Sequence, residues 1–132
     1  MGSVKAVADA CPCGSGRPYA DCCGALHSGA KNADSAEALM RSRYSAYVLK
    51  LEDYLLATWH PDTRPSELDI AADDTKWLGL EVKKHEVQDE THATVDFVAR
   101  YRIAGKGHRL HELSRFVNDD GRWFYRDGEL TC

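Results

Sequence analysis

The sequence predicts an α+β domain, helices first and a strand meander after, preceded by a small metal-bound module. Three observations carry that prediction: four cysteines crowd into 13 residues near the start, apolar residues recur at helical spacing between residues 34 and 60, and strict alternation takes over after Thr75. With 132 residues, 43% of them hydrophobic, and three tryptophans, six tyrosines and three phenylalanines, the chain is long enough to bury one real core. No run of about 18 apolar residues is present to cross a bilayer.

Residues 1–10 read as a flexible N-terminus. They carry one lysine and lack the apolar stretch of a secretory signal, so a cytoplasmic location is expected. Residues 11–24 hold Cys11, Cys13, Cys22 and Cys23. In a reducing compartment such a cluster points to a metal, because thiolates bind zinc tightly and disulfides do not persist there. Cys11-Pro12-Cys13 presents two sulfurs from a short loop, and the intervening residues let Cys22 and Cys23 complete a tetrahedron. Gly14, Gly16 and Gly24 permit the tight wrapping this requires. Four thiolates leave no open position, so one structural zinc is expected, and it supplies on the order of 10 kcal/mol of folding free energy to a peptide almost without an apolar core. A dithiol redox site and an inert buried cluster are the competing readings, the first weakened by the absence of C-x-x-C. His27 is expected as an exposed linker side chain, with replacement of a thiolate as its alternative, and Cys132 as a bystander.

Residues 25–33 are small, polar and glycine-containing, as in a linker, and residues 34–132 form the second unit. Asp34 or Ser35 can cap a helix whose stripe is Met40, Tyr44, Tyr47, Val48 and Leu51. A shorter helix follows from Asp53 and ends at Trp59-His60-Pro61, since proline disfavours helix in the preceding residue; 61–75 read as loop or a broken turn. Four strands are predicted. They are Lys76 to Val87, the alternating run through Ala93, Val95, Phe97, Ala99, Tyr101 and Ile103, Arg109 to Val117 after the turn Gly105-Lys106-Gly107, and Arg122 to Asp127 after Asn118-Asp119-Asp120-Gly121. A bent antiparallel sheet closing over the helices makes one concave cavity.

The segment from Cys11 to Gly24, Cys-Pro-Cys-Gly-Ser-Gly-Arg-Pro-Tyr-Ala-Asp-Cys-Cys-Gly, resembles the SEC-C zinc motif at all four ligand positions. The remainder is similar to the YchJ family through Leu39-Met-Arg-Ser-Arg-Tyr44, Asp53-Tyr-Leu, Thr58-Trp-His-Pro61, Trp77-Leu-Gly-Leu80, Ser114-Arg-Phe116 and Trp123-Phe-Tyr-Arg-Asp-Gly128. The resemblance implies a zinc module followed by a cystatin-like cone of the nuclear-transport-factor-two type, helices packed on a curved antiparallel sheet. It carries no established activity.

Strand alternation nominates the polar residues of the cavity. On the third strand Leu110, Glu112, Ser114 and Phe116 share one face, so Glu112 and Ser114 enter the cavity if Phe116 points inward. Trp123, Tyr125 and Asp127 share a face of the last strand, and Asp127 offers a second carboxylate for general acid–base work. The plainer expectation pairs Glu112 with an arginine and uses Asp127-Gly128 to close the strand. Arg41 and Arg43 flank the helical stripe beside Tyr44; either can reach the cavity and hold an anion, or snorkel to solvent. Trp59 and His60 form a further pair, an aromatic wall beside a possible base, with His60 more simply a helix-terminal histidine bonded to a carbonyl. Trp77 is expected to fill core.

Three functional classes remain. The first makes the zinc module, with Arg17, Pro18 and Tyr19 beside the metal, a protein-docking element and the cone a scaffold or ligand-binding unit. The second makes the cone a small-molecule enzyme, supported by fold analogy alone. The third, nucleic-acid association, finds little support. The net charge is −4, residues 34–132 hold 14 basic and 19 acidic side chains, and only Arg100, Arg102 and Arg109 form a basic group.

Overall fold

In the computed structural model, which describes residues 10–70 and 73–130, the elements follow the expected order, and the readings made for residues 1–9 and for Cys132 lie outside that range. A 3-10 turn, Tyr19–Asp21, leads into α1, Cys23–His27. Then come α2, Ala36–Leu49, α3, Glu52–Ala57, and four strands: β1, Lys76–Val87, β2, His92–Ile103, β3, Lys106–Asp119, and β4, Arg122–Leu130.

Ser35 is the residue that caps α2, its Oγ accepting Ala38 N–H at 3.1 Å. Lys50 adopts a left-handed conformation (φ 60°) and stops the helix. The sheet runs β1-β2-β3-β4, antiparallel throughout. Both later hairpins turn on two consecutive positive-φ residues, Ala104 with Gly105 and Asp120 with Gly121, the requirement of the tightest right-twisting hairpins. Because Ala104 accepts that conformation, β3 resumes at Lys106, earlier than the glycine pair Gly105 and Gly107 led one to expect.

The inner face of β2 carries Ala93, Val95, Phe97 and Ala99, all buried, and Phe116 of β3 joins them. Leu39, Met40 and Tyr44 of α2 pack into that face to form the main core. Phe116 therefore points inward, and Leu110, Glu112 and Ser114 point with it. One irregularity changes β4: Arg115 pairs with Asp127 but Phe116 pairs with Tyr125, so Arg126 is an extra residue, a β-bulge. Beyond it the alternation inverts. Segment 58–60 fastens the end of α3 to this strand, Tyr125 N–H donating to Thr58 O at 2.9 Å and His60 N–H to Tyr125 O at 2.8 Å.

Candidate functional site

The four cysteines form their own small buried cluster, with Tyr19 the one hydrophobic residue among those described that packs against it. All four sulfurs lie within 4.8 Å of one another, and Cys13 and Cys22 are 3.6 Å apart. A tetrahedral shell with metal–sulfur bonds of about 2.3 Å needs sulfurs about 3.8 Å apart, so the set can hold a metal ion. Gly14 and Gly16 take φ values of +81° and +84°, the conformations the tight turn requires. Gly24 serves differently: a Cβ there would stand 2.6 Å from Tyr19 O.

The thiols also show why such a cluster calls for a cation. The hydrogen bond with Cys23 leads in pulling the Cys13 thiol down to about 4, the same bond and burial push Cys23 far above the thiol range, and burial raises Cys11. Sulfurs within 4.8 Å of one another resist ionising together. A metal ion would remove that conflict. Polar groups already face the sulfurs, with Ser15 Oγ 3.1 Å and Arg17 Nη2 3.6 Å from Cys22, and Ser45 Oγ of α2 3.6 Å from Cys11.

That last contact belongs to a docked interface. Arg41 Nη1 donates to Cys13 O at 3.1 Å, His27 Nε2 bonds Ser42 O at 2.8 Å, and Tyr19 Oη and His27 Nδ1 lie 2.6 Å apart. Tyr54 of α3 meets the His27 ring edge-on at 4.6 Å and reaches Ser42 Oγ at 2.7 Å. Residues 25–27 accordingly belong to α1, and His27 is half-buried between module and cone, not an exposed linker side chain. Burial lowers its proton affinity below the ordinary histidine value.

On another flank of α2, between the helix and the sheet, lies a cavity of about 260 Å³. Arg43, 4% exposed, projects into it. Its Nη1 donates to Leu55 O at 2.8 Å and to Thr58 Oγ1 at 2.7 Å, and its guanidinium lies 5.0 Å from the Trp59 ring and 4.6 Å from the Tyr125 ring. Those contacts hold a cation whose ionisation burial disfavours, since its proton affinity is lowered chiefly by desolvation. Glu112 lines the cavity too. Its Oε2 accepts Ser114 Oγ at 2.6 Å and Tyr125 Oη at 3.2 Å, and burial raises the Tyr125 phenol above its usual range. Tyr44, pushed up to about 12 by burial, completes the floor with Met40 and Phe97.

Comparison with known proteins decides the family. Residues 35–128 match the model described as "YchJ, middle NTF2-like domain", and residues 8–25 match the SEC-C motif. The chain belongs to the YchJ family. A UPF0225 protein of Bordetella parapertussis is 63% identical over 92% of both chains, and one of Chromobacterium violaceum is 55% identical over 97% of this chain and 98% of its own. Two solved structures are similar. A SEC-C motif containing protein from Rhodopseudomonas palustris matches at TM-score 0.83 and 39% identity, covering 92% of this chain and 98% of its own; one from Psychrobacter arcticus matches at 0.75 and 34%, covering 92% and 82%. The α+β cone after a SEC-C module, expected from the sequence, is the fold.

Within this YchJ-family fold, Arg43, Tyr44, Trp59, Glu112 and Ser114 gather at the cavity, and four other nominated residues do not. Arg41 turns to the metal module, held by Cys13 O and by Glu37, because the two arginines leave α2 on different sides. His60 sits beyond the end of α3, its ring edge on Phe124 and each ring nitrogen 3.8 Å from a carboxylate, Asp62 or Asp119. Trp123 packs against the core and lines a separate groove with His27 and Tyr54. Asp127 lies past the bulge, on the outer face, paired with Arg115 at 2.7 Å. The paired carboxylates considered for acid–base work are therefore not together; Glu112 is the one carboxylate among the described lining residues. Glu112 is also held by Ser114 and Tyr125, without the arginine partner expected.

Trp77, expected as core filler, lines the cavity as well. Two positions that hold or crowd the Glu112 carboxylate were not nominated. Tyr125 was legible as an inward residue of β4, whereas Gly128 carried no signal: it opposes Ser114, and a Cβ there would stand 2.2 Å from Glu112 Oε2. Arg100 is exposed and paired with Glu81 at 3.8 Å, with Arg109 opposite it across the strands. No helix among the described residues is long and apolar enough to cross a membrane.

Proposed function

We propose that this chain is a zinc-clasped, cytoplasmic ligand-binding protein, in which one structural zinc ion orders the SEC-C module against α2 and the cone receives a small molecule. The zinc reading rests on the four-sulfur set, whose chemistry suits zinc and whose filled shell leaves no position for substrate. The cone reading rests on one observation: Arg43 is buried at the cavity with no carboxylate hydrogen-bonded to it, a costly arrangement for a scaffold and a useful one for a receptor. Native mass spectrometry of the full chain purified from its own cells tests both. One zinc ion with a reproducible small organic mass is the expected result. A chain without metal overturns the zinc clasp, and zinc alone, with cavity signals in nuclear magnetic resonance unmoved by small molecules, overturns the receptor.

A second role, protein docking through the module, is favoured by the exposed turn 14–18. Tyr19 is not available to it, being engaged with His27. Pro18→Glu, on the exposed part of that turn and away from the sulfurs, is then expected to abolish partner capture without loss of zinc; unchanged capture removes this role.

A further inference from the structure

We infer that the ligand of the cone is a small aromatic carboxylic acid carrying a hydroxyl or amine at its far end. The inference rests on reading the cone as a binding site and concerns the chemistry of that same site. Three features of the cavity select the ligand class.

The first is the unequal use of the Arg43 guanidinium. Nη1 makes both hydrogen bonds to the protein, to Leu55 O and Thr58 Oγ1, while Nε and Nη2 donate to no described residue. The side chain is therefore anchored by one nitrogen and offers the others as a fork, the geometry that binds a carboxylate through two parallel bonds. The rings of Trp59 and Tyr125 against the guanidinium fix its plane, so little side-chain freedom is lost when the anion arrives.

The second feature is the complementary asymmetry of Glu112. Ser114 and Tyr125 both donate to Oε2, and Oε1 accepts from no described residue. A ligand that meets Oε1 must bring a hydrogen-bond donor. Gly128 supports this arrangement, since any side chain there would occupy the place of the carboxylate. Arg43 comes from α2 and Glu112 from β3, Tyr125 touches both, and the Glu112 charge favours the guanidinium without a hydrogen bond to it, so one cavity presents both polar groups.

The third feature is the wall between them. Tyr44, Tyr47, Trp77 and Phe97 present ring surface, and Met40 and Leu110 fill the remainder, which favours a flat apolar body over a sugar or a peptide. About 260 Å³ is roughly nine water volumes at about 30 Å³ each, the size of a single substituted ring.

The test uses the full-length, zinc-loaded, isotope-labelled chain and four compounds of matching size: 4-hydroxyphenylacetate, its neutral amide, phenylacetate, and tyramine. Binding is read from the Arg43 Nε–H and Trp59 Nε1–H resonances. The hydroxy acid is expected to shift both saturably, the amide to bind about tenfold or more weakly for loss of the charge-assisted fork, and phenylacetate about three- to tenfold more weakly for loss of the donor. Glu112→Gln is expected to erase the preference for the hydroxy acid over phenylacetate while zinc content and sheet resonances stay unchanged. The comparison among compounds needs no variant, so it holds even where an Arg43 substitution fails to fold. If the amide or tyramine binds as tightly as the acid, the ligand class is wrong and the cone remains a receptor. If none of the four moves a cavity resonance at millimolar concentration, the receptor reading falls with it.

Discussion

Cys11, Cys13, Cys22 and Cys23 come from one short stretch of chain and are held together by little else, whereas the groups of the cavity come from α2, β3, β4 and the segment after α3. The metal module has four sulfurs and Tyr19 as its interior; the cone has helix and sheet side chains interlocked over a broad face. The two differ in how each resists disruption. A site made of neighbours in sequence, without a core, has little to hold it beyond whatever metal its sulfurs can take. A site made of distant residues depends on many contacts, no one of which is decisive, and on strand geometry that places each side chain on its face.

The largest effect should come from the ion. Chelation, or Cys13→Ser, is expected to unfold the cysteine module, which forfeits the folding free energy on the order of 10 kcal/mol that zinc supplies to it, and to lower the melting temperature of the cone it docks on by about 10–20 °C, measured by calorimetry with and without zinc. The β2 and β3 amides should stay protected from exchange while α1 and the Ser42–Ser45 face of α2 lose protection. Equal loss of protection across the sheet would show that module and cone unfold as one unit, and the comparison would break.

Gly128→Ala comes next. The added methyl displaces the Glu112 carboxylate from Ser114 and Tyr125, at a cost of about 1–3 kcal/mol in urea unfolding, with zinc content unchanged. An unaltered midpoint would mean that β4 shifts freely past the bulge and that the carboxylate is not fixed by its bare neighbour.

His27 sharpens the boundary between the two regions. Its folded proton affinity lies below the unfolded value, so the unfolded chain binds the extra proton first and stability falls as pH drops below about 6.5. At saturating zinc between pH 7.5 and 6, His27→Gln is expected to flatten that decline while costing about 1 kcal/mol for the altered bonds to Tyr19 and Ser42. A decline that persists in the variant would place the titration elsewhere. The smallest effect belongs to Asp127→Asn, whose exposed pair with Arg115 should leave the melting temperature and ligand binding unchanged; a change in binding would place that carboxylate at the cavity after all.

How far each region was legible follows from the same contrast. The cysteine spacing announced a sulfur set able to hold a metal ion because its members are neighbours in the chain. The two-residue period of β2 announced its inner face, and the shared face of Glu112, Ser114 and Phe116 survived because β3 alternates regularly through residues 110–116. Asp127 failed for a local reason, since one extra residue at Arg126 inverts the alternation and nothing in Trp-Phe-Tyr-Arg-Asp-Gly marks a bulge. Arg41 and Arg43 looked equivalent at the edges of a helical stripe. Ser42 and Ser45 lie off the predicted apolar stripe, yet both are fully buried, because the cysteine module and α3 cover the flanks that a single stripe would leave to water.

The amino-acid sequence by itself determined the elements, their order, the sulfur set and the faces of regular strands, because those depend on residues a few positions apart. Only the tertiary structure decided that the module docks on α2 through His27, Arg41 and Ser45, that Asp127 leaves the cavity, and that Arg43 stays in it without a carboxylate bonded to it. Such outcomes depend on which surfaces meet and on a single slip in strand register, and neither is encoded in local spacing.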